Sequence, residues 1–227
     1  MKVISWNCNL KFKEKFELVS SYDPDICFIQ ECEKLSPDFF PNYKYFWTGR
    51  NEKKGLGVLT KKDDFFVDEC HNKDLINFIP IRSDNLKLLG VWSFNHRASK
   101  FGSNVSGNTI DAINFYRDWF GNDNEKCIVA GDFNNSIIWD KKGNDNNFNN
   151  INDHFLDLGF VSNYHKLEGE SFGKESSATF FHTKMESKKY HIDYIYSKNL
   201  NPLEFKVGSY SEWISYSDHS PLIAKLG

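Results

Sequence analysis

C-I-V-A-G-D-F-N, Cys127 to Asn134, is the stretch whose reading decides the fold. An apolar run long enough for one buried strand ends at Gly131, and Asp132 and Asn134 follow it two positions apart. Residues two apart in an extended chain face the same side, so both polar groups can look into one cleft at the strand's end. Taken alone, Gly, Asp and Asn after a strand are also what an ordinary turn demands. The arrangement recurs, however: K-V-I-S-W closes on Asn7, I-C-F-I-Q delivers Glu31, and L-K-L-L-G-V-W-S-F ends in Asn95-His96. Turn chemistry by itself does not predict that repetition.

The first two of these runs are separated by Phe12–Ser21, which places Phe12, Phe16 and Val19 on one helical face with Lys and Glu opposite. Asp23-Pro24-Asp25 ends that helix. Strand, helix, strand over about thirty residues predicts a crossover unit with two parallel strands side by side. Asn7 and Glu31 then meet at one carboxyl-terminal rim, where open α/β sheets bind ligands. Tyr43–Trp47, Gly55–Thr60, Phe65–Val67 and Phe78–Ile81 predict short strands in a meander-like section. Arg97–Asn108 is a polar loop, Thr109–Phe120 a helix, Asp140–Asp153 an Asn-rich mobile surface loop, and His154–Leu158 a short helix. Ala178–Thr183, His191–Ser197, Phe205–Gly208 and Pro221–Leu226 predict closing strands. Asn7, Glu31, His96 and Asp132 follow their strands, whereas Asp193, Asp218 and His219 precede or begin theirs. If all share one rim, the last strands run against the earlier ones, so the sheets are mixed. A purely parallel doubly wound fold is disfavoured.

The 227 residues suffice for one domain with a large core, and neither a repeat nor a linker divides them. Hydrophobic residues make up 40%, with 21 Phe, 10 Tyr and 6 Trp, which excludes a disordered chain. The N-terminal residues read as a strand with no secretory signal pattern, and no apolar run reaches the roughly 18 residues of a membrane span. A soluble, cytoplasmic, monomeric protein is the default expectation. Five cysteines, odd in number and without a C-x-x-C pair, read as reduced core residues and not as a disulfide framework or zinc site. A net charge of -3 with interspersed signs argues against a strong nonspecific grip on a polyanion.

W-N at 6–7, Q-E at 30–31, N-H at 95–96, G-D-F-N at 131–134, H-I-D-Y-I at 191–195 and S-D-H-S-P at 217–221 form an ordered set. The set resembles the endonuclease/exonuclease/phosphatase superfamily, which includes DNase I-like nucleases, abasic-site endonucleases and inositol polyphosphate 5-phosphatases. The resemblance runs from Asn7 to Pro221. It implies a four-layer α/β sandwich of two packed mixed β-sheets flanked by helices, hydrolysing phosphoester bonds with Mg²⁺ or Mn²⁺. The donor chemistry agrees, because Glu31, Asn7 and Asp218 offer hard oxygen atoms of the kind Mg²⁺ takes. Glu31 is the expected principal metal ligand, with Asn7 and Asp218 completing or supporting the shell; Asn7 alone also reads as a turn-forming residue.

Asp193 and His219 form the second expected pair, since a carboxylate fixes the imidazole tautomer and favours its charged form. Alternation in H-I-D-Y-I puts His191, Asp193 and Ile195 on one face and Ile192, Tyr194 and Tyr196 on the other. The implied mechanism is in-line attack of water on phosphorus. Asp132, with or without His219, orients or deprotonates the water, and Asn134 and His96 donate hydrogen bonds to non-bridging oxygens. Which group is the formal base stays open. The abasic-site branch usually has tyrosine where Asn95-His96 stands and Arg where His191 stands, so abasic-site repair is disfavoured. Arg50, Lys53, Lys54, Arg97 and Lys100 are candidate substrate contacts, and Trp139 a candidate stacking surface. The expected substrate is DNA or RNA. Alternatives are a small phosphoester, such as a nucleotide, cyclic nucleotide or inositol phosphate, and a catalytically dead binding relative.

Overall fold

The computed structural model describes residues 1–61, 64–94, 109–121 and 124–227. His96, expected at the site, and the neighbouring Asn95, Arg97 and Lys100 lie outside the described residues.

One six-stranded sheet has the order β13 (Pro202–Val207), β14 (Leu222–Leu226), β1 (Lys2–Asn7), β2 (Ile26–Cys32), β4 (Lys54–Thr60), β3 (Lys44–Asn51). The other has the order β5 (Phe66–Val67), β6 (Phe78–Arg82), β7 (Lys87–Trp92), β8 (Cys127–Asp132), β12 (Asp193–Lys198), β9 (Val161–Ser162). Each is built on a central parallel pair flanked by antiparallel strands. β1 runs parallel to β2 through the crossover helix α1 (Phe12–Ser20), and β7 runs parallel to β8 with α2 (Thr109–Phe115) between them in the chain. β14 and β12 run against β1 and β8, as the positions of the polar residues demanded.

The period-2 alternation of the strands assigns three apolar layers. Val3, Ile26, Phe28, Ile128, Ala130 and Ile195 pack between the sheets. The alternate residues Ile4, Trp6, Cys27 and Ile29 face outward against Phe12 and Val19 of α1. Val129, Tyr194 and Tyr196 face outward on the other sheet, against α2 and α3 (Phe148–Asp157). Helix, sheet, sheet, helix is the four-layer sandwich that the motif set implied. A two-stranded ribbon, β10 (Phe180–Phe181) with β11 (Lys189–Tyr190), stands apart from both sheets.

Side chains from elsewhere in the chain cap two helix starts, the first of which, at Phe12, is where the sequence predicts it and the second of which is not. Glu33 accepts from the backbone N–H groups of Phe12 and Lys13 at 2.8 and 2.9 Å, so a carboxylate from the end of β2 starts α1. The run Asp140–Asp153, expected to be a mobile loop, instead contains the beginning of α3. Asp140 accepts from Phe148 N and Asn149 N at 2.6 and 2.9 Å, and Phe148 and Ile151 are buried. The helix expected at His154–Leu158 is the second half of this one. The helix expected over Thr109–Phe120 ends at Phe115 and continues as turns. Two short helices, α4 (Asn163–Glu168) and α5 (Tyr210–Trp213), were not signalled by periodicity, being too short to show any. All five cysteines are free, four of them buried. Among the described residues no helix is long and apolar enough to cross a membrane.

Candidate active site

Continuing the inward alternation past the last apolar residue of each strand brings polar groups to the end of the inter-sheet core. Val3 faces inward and so does Asn7; Ile128 and Ala130 face inward and so does Asp132; Ile195 faces inward and so does Asp193. Antiparallel pairing sets Asp193 directly opposite Asp132. On its other side β8 packs closely on β7: Gly131 lies at φ 155, and a Cβ there would sit 1.8 Å from the carbonyl oxygen of Val91. The glycine of G-D-F-N is therefore a close-packing requirement between β7 and β8.

Asp132, 1% exposed, accepts from three donors. Asn7 Nδ2 donates to Oδ2 at 3.0 Å, Asn134 N to Oδ1 at 2.8 Å and Asn134 Nδ2 to Oδ2 at 2.9 Å. Asn134 Nδ2 also donates to the Ser93 carbonyl at 2.9 Å, so both hydrogens of its amide are engaged within the protein. Its φ of 47 is the left-handed conformation that Asn tolerates better than most residues.

His219 Nδ1 donates to Asp193, 2.9 Å from Oδ2 and 3.2 Å from Oδ1. The backbone of this segment is fixed at several points. Trp6 Nε1 donates to the His219 carbonyl, His219 N to Ser217 Oγ, and Ser217 Oγ to the Asn7 carbonyl. Thr179 Oγ1 accepts from Ile192 N and Asp193 N, and the Phe180 ring packs 4.6 Å from the His219 ring. Asp132, Asp193 and His219 each place one donor atom within 4.8 Å of the others.

Electrostatics follows from burying two carboxylates beside one imidazole. Burial, then the charge of Asp193, raises the Asp132 carboxyl to about 7; His219 and the amide donors oppose the rise. For His219, burial by itself lowers the pKa, but Asp193 and then Asp132 outweigh it and bring it to about 10. The imidazole is therefore protonated at neutral pH.

Glu31 and Asp218 stand around this centre. The β2–β4 register shifts between Gln30 and Cys32, and Glu31 is the residue in the bulge, at φ 59. Pairing of Asn7 with Gln30 puts Glu31 at the same rim, where its Oε2 contacts Lys54 Nζ at 2.8 Å. Asp218 Oδ1 accepts from Asn9 Nδ2 at 3.1 Å, while Asn9 N donates to Asn7 Oδ1 at 3.1 Å. Asn9 thus links two of the expected metal-side residues. The sequence reading missed it, as it missed Ser217 and Thr179; Asn9 lies two positions after Asn7, the same spacing as Asp132 and Asn134. The donors at this rim are carboxylate and amide oxygens, a set that fits a hard divalent cation.

Beside the centre lies a groove of about 760 Å³ that includes Asn134 and Phe180 and is walled by Ile138, Trp139, Tyr190 and His182. The Trp139 and Tyr190 rings are 5.1 Å apart.

Two mixed sheets packed face to face between helices, with carboxylates and an imidazole gathered at the end of the inter-sheet core, define the DNase I-like class of α/β sandwich. The profile of the Endonuclease/Exonuclease/phosphatase family matches residues 4–219, and the chain belongs to that family. By that membership it is a phosphoric ester hydrolase, and the family's enzymes depend on a metal. No curated protein matches the chain. Among solved structures, the 3'-5' exonuclease NExo from Neisseria meningitidis is similar with a TM-score of 0.74 at 19% identity, over 99% of each chain. An AP endonuclease from Archaeoglobus fulgidus is similar with a TM-score of 0.72 at 15% identity, over 99% of this chain and 98% of that one. A form of NExo from Neisseria described as a 3' phosphatase, bound to product DNA hairpin, gives 0.74 at 18% identity, covering 100% and 99%.

Proposed function

We propose that the protein is a Mg²⁺- or Mn²⁺-dependent nuclease that hydrolyses phosphodiester bonds of nucleic acid at the Asp132–Asp193–His219 centre. The observation that carries the chemistry is the buried juxtaposition of Asp132, Asp193 and His219, with His219 Nδ1 on the Asp193 carboxylate, which raises the Asp132 carboxyl to about 7 and the imidazole to about 10. A general base works best with a pKa near the working pH, which fits Asp132 as the group that takes the proton of the attacking water. His219, held as an imidazolium by Asp193, is unsuited to that task. It fits as the positive donor to a phosphoryl oxygen on which charge develops. Asn134 and Asn7 orient the Asp132 carboxylate, and with both its amide hydrogens engaged Asn134 acts through Asp132. Glu31, with Asn7 and Asp218, would hold the metal, which neutralises charge on the phosphate and the leaving oxygen when bound.

The groove beside Asn134 supports nucleic acid over an inositol phosphate. Its walls are flat rings and asparagines, and among the described residues Lys141 and His182 are its basic ones. A polyphosphate would need a cluster of cations there, whereas a base can stack on Trp139 or Tyr190 and bond to the amides. The free, mostly buried cysteines favour a reducing compartment, in keeping with the cytoplasm.

The test is a comparison of purified protein with Mg²⁺, Mn²⁺ or EDTA on plasmid, single-stranded DNA, RNA, an inositol polyphosphate and bis-p-nitrophenyl phosphate. Metal-dependent cleavage of polymer, lost in Glu31→Ala and His219→Ala, is the expected result. Turnover confined to the inositol phosphate or the small ester would replace the nuclease reading, and no turnover with any metal would end the hydrolytic one.

A further inference from the structure

Glu31 is already neutralised by a cation of the protein itself. Lys54 opens β4 at the rim, its Nζ 2.8 Å from Glu31 Oε2, with side-chain exposures of 39% and 19% for the two residues. The same ammonium lies 5.3 Å from the centre of the Trp92 ring. Neither residue reaches the other by chance of a flexible loop. Cys32 pairs with Gly55, so the Glu31 bulge is locked one position from Lys54. Gly55 cannot carry a side chain, because a Cβ would meet the Trp47 ring at 2.3 Å and the Thr48 carbonyl at 2.4 Å. The strand therefore begins with Lys54 held beside the bulge, where a carboxylate projects at φ 59.

A carboxylate with one ammonium on it and one divalent cation to bind is shared between competitors. We infer that Lys54 is a built-in counter-cation: it holds Glu31 until a divalent metal takes the carboxylate. The displaced ammonium, tethered over Trp92, then bears on a substrate phosphoryl oxygen. This rests on Glu31 being a metal ligand. The device makes metal loading and substrate charge cooperate, because the anionic substrate draws Lys54 away from Glu31 and so favours the metal, and linkage makes the effect reciprocal.

The experiment is calorimetric titration of EDTA-stripped protein with Mn²⁺ and Mg²⁺, without substrate, for the parent, Lys54→Met, Lys54→Arg and Glu31→Gln. Circular dichroism and melting check that each variant is folded. Lys54→Met is expected to bind the ion about three- to tenfold more tightly, the size of one partly exposed ion pair plus a screened repulsion. Lys54→Arg is expected to bind it as the parent does. With oligonucleotide, Lys54→Met is expected to raise KM about threefold or more while saturating metal is present. Equal or weaker metal binding by Lys54→Met overturns the competition, and an unchanged KM overturns the handover to substrate. Undiminished binding by Glu31→Gln instead removes the metal role of Glu31, a failure distinct from either.

Discussion

Replacing Asp132 with Asn should make the metal-free protein more stable at alkaline pH while abolishing its activity. The Asp132 carboxyl is raised from 3.8 to about 7, first by burial and then by Asp193. It is thus harder to ionise in the folded chain than in the unfolded one. The penalty is absent below about pH 4, grows as pH rises towards 7, and is complete above it. At about 1.4 kcal/mol per pH unit, the interval corresponds to at most about 4 kcal/mol. Asparagine keeps the volume but turns one acceptor into a donor facing the Asn7 and Asn134 amides, which costs about 1–3 kcal/mol. The expected net gain is about 1–3 kcal/mol at pH 8, turning into a loss of about 1–3 kcal/mol at pH 4, where only the misplaced amide donor counts. Urea unfolding in EDTA, followed by tryptophan fluorescence at several pH values, measures it, and kcat should fall about 100- to 10,000-fold. A variant no more stable than its parent at pH 8, or one whose gain does not change with pH, would refute the account of Asp132 as a strained, functional carboxylate.

The opposite pH signature is expected of Asp193→Asn. His219 is raised from 6.5 to about 10, so the pair's contribution is full below about pH 6.5 and is lost as pH rises to about 10. Thermal melts should show a loss of about 3–5 kcal/mol at pH 6 that shrinks towards pH 10. Gly131→Ala should cost more than about 3 kcal/mol or leave the protein insoluble, because the new Cβ would collide with the β7 backbone; a melt within a few degrees of the parent would contradict this. Trp139→Ala should raise KM for an oligonucleotide about tenfold and leave turnover of bis-p-nitrophenyl phosphate unchanged, as read in parallel steady-state assays.

Much of the architecture was legible because burial writes itself into the alternation of strands. Ile128 and Ala130 announce the inward face of β8, and counting by two reaches Asp132; the same count from Val3 reaches Asn7 and from Ile195 reaches Asp193. The order of the polar positions relative to their strands also required antiparallel closing strands, which β12 and β14 are. Features set by caps and bulges were not legible. Nothing near Asp140 in the chain says that its carboxylate will meet Phe148 N and Asn149 N, so an Asn-rich stretch passed for a loop.

The sequence by itself determined which residues are inward, which strands end in polar groups and which family the motifs belong to, because each depends on spacing within one strand. Only the tertiary structure decided the chemistry of those residues. Asp132 and Asp193 are 61 positions apart in the chain, yet the β8–β12 register sets them face to face, buried together with His219. A pKa is a property of that enclosure, and no local pattern encodes it. The same holds for Glu31: the chain shows a glutamate after a strand, and only the folded sheet shows the bulge that projects it and the lysine that holds it.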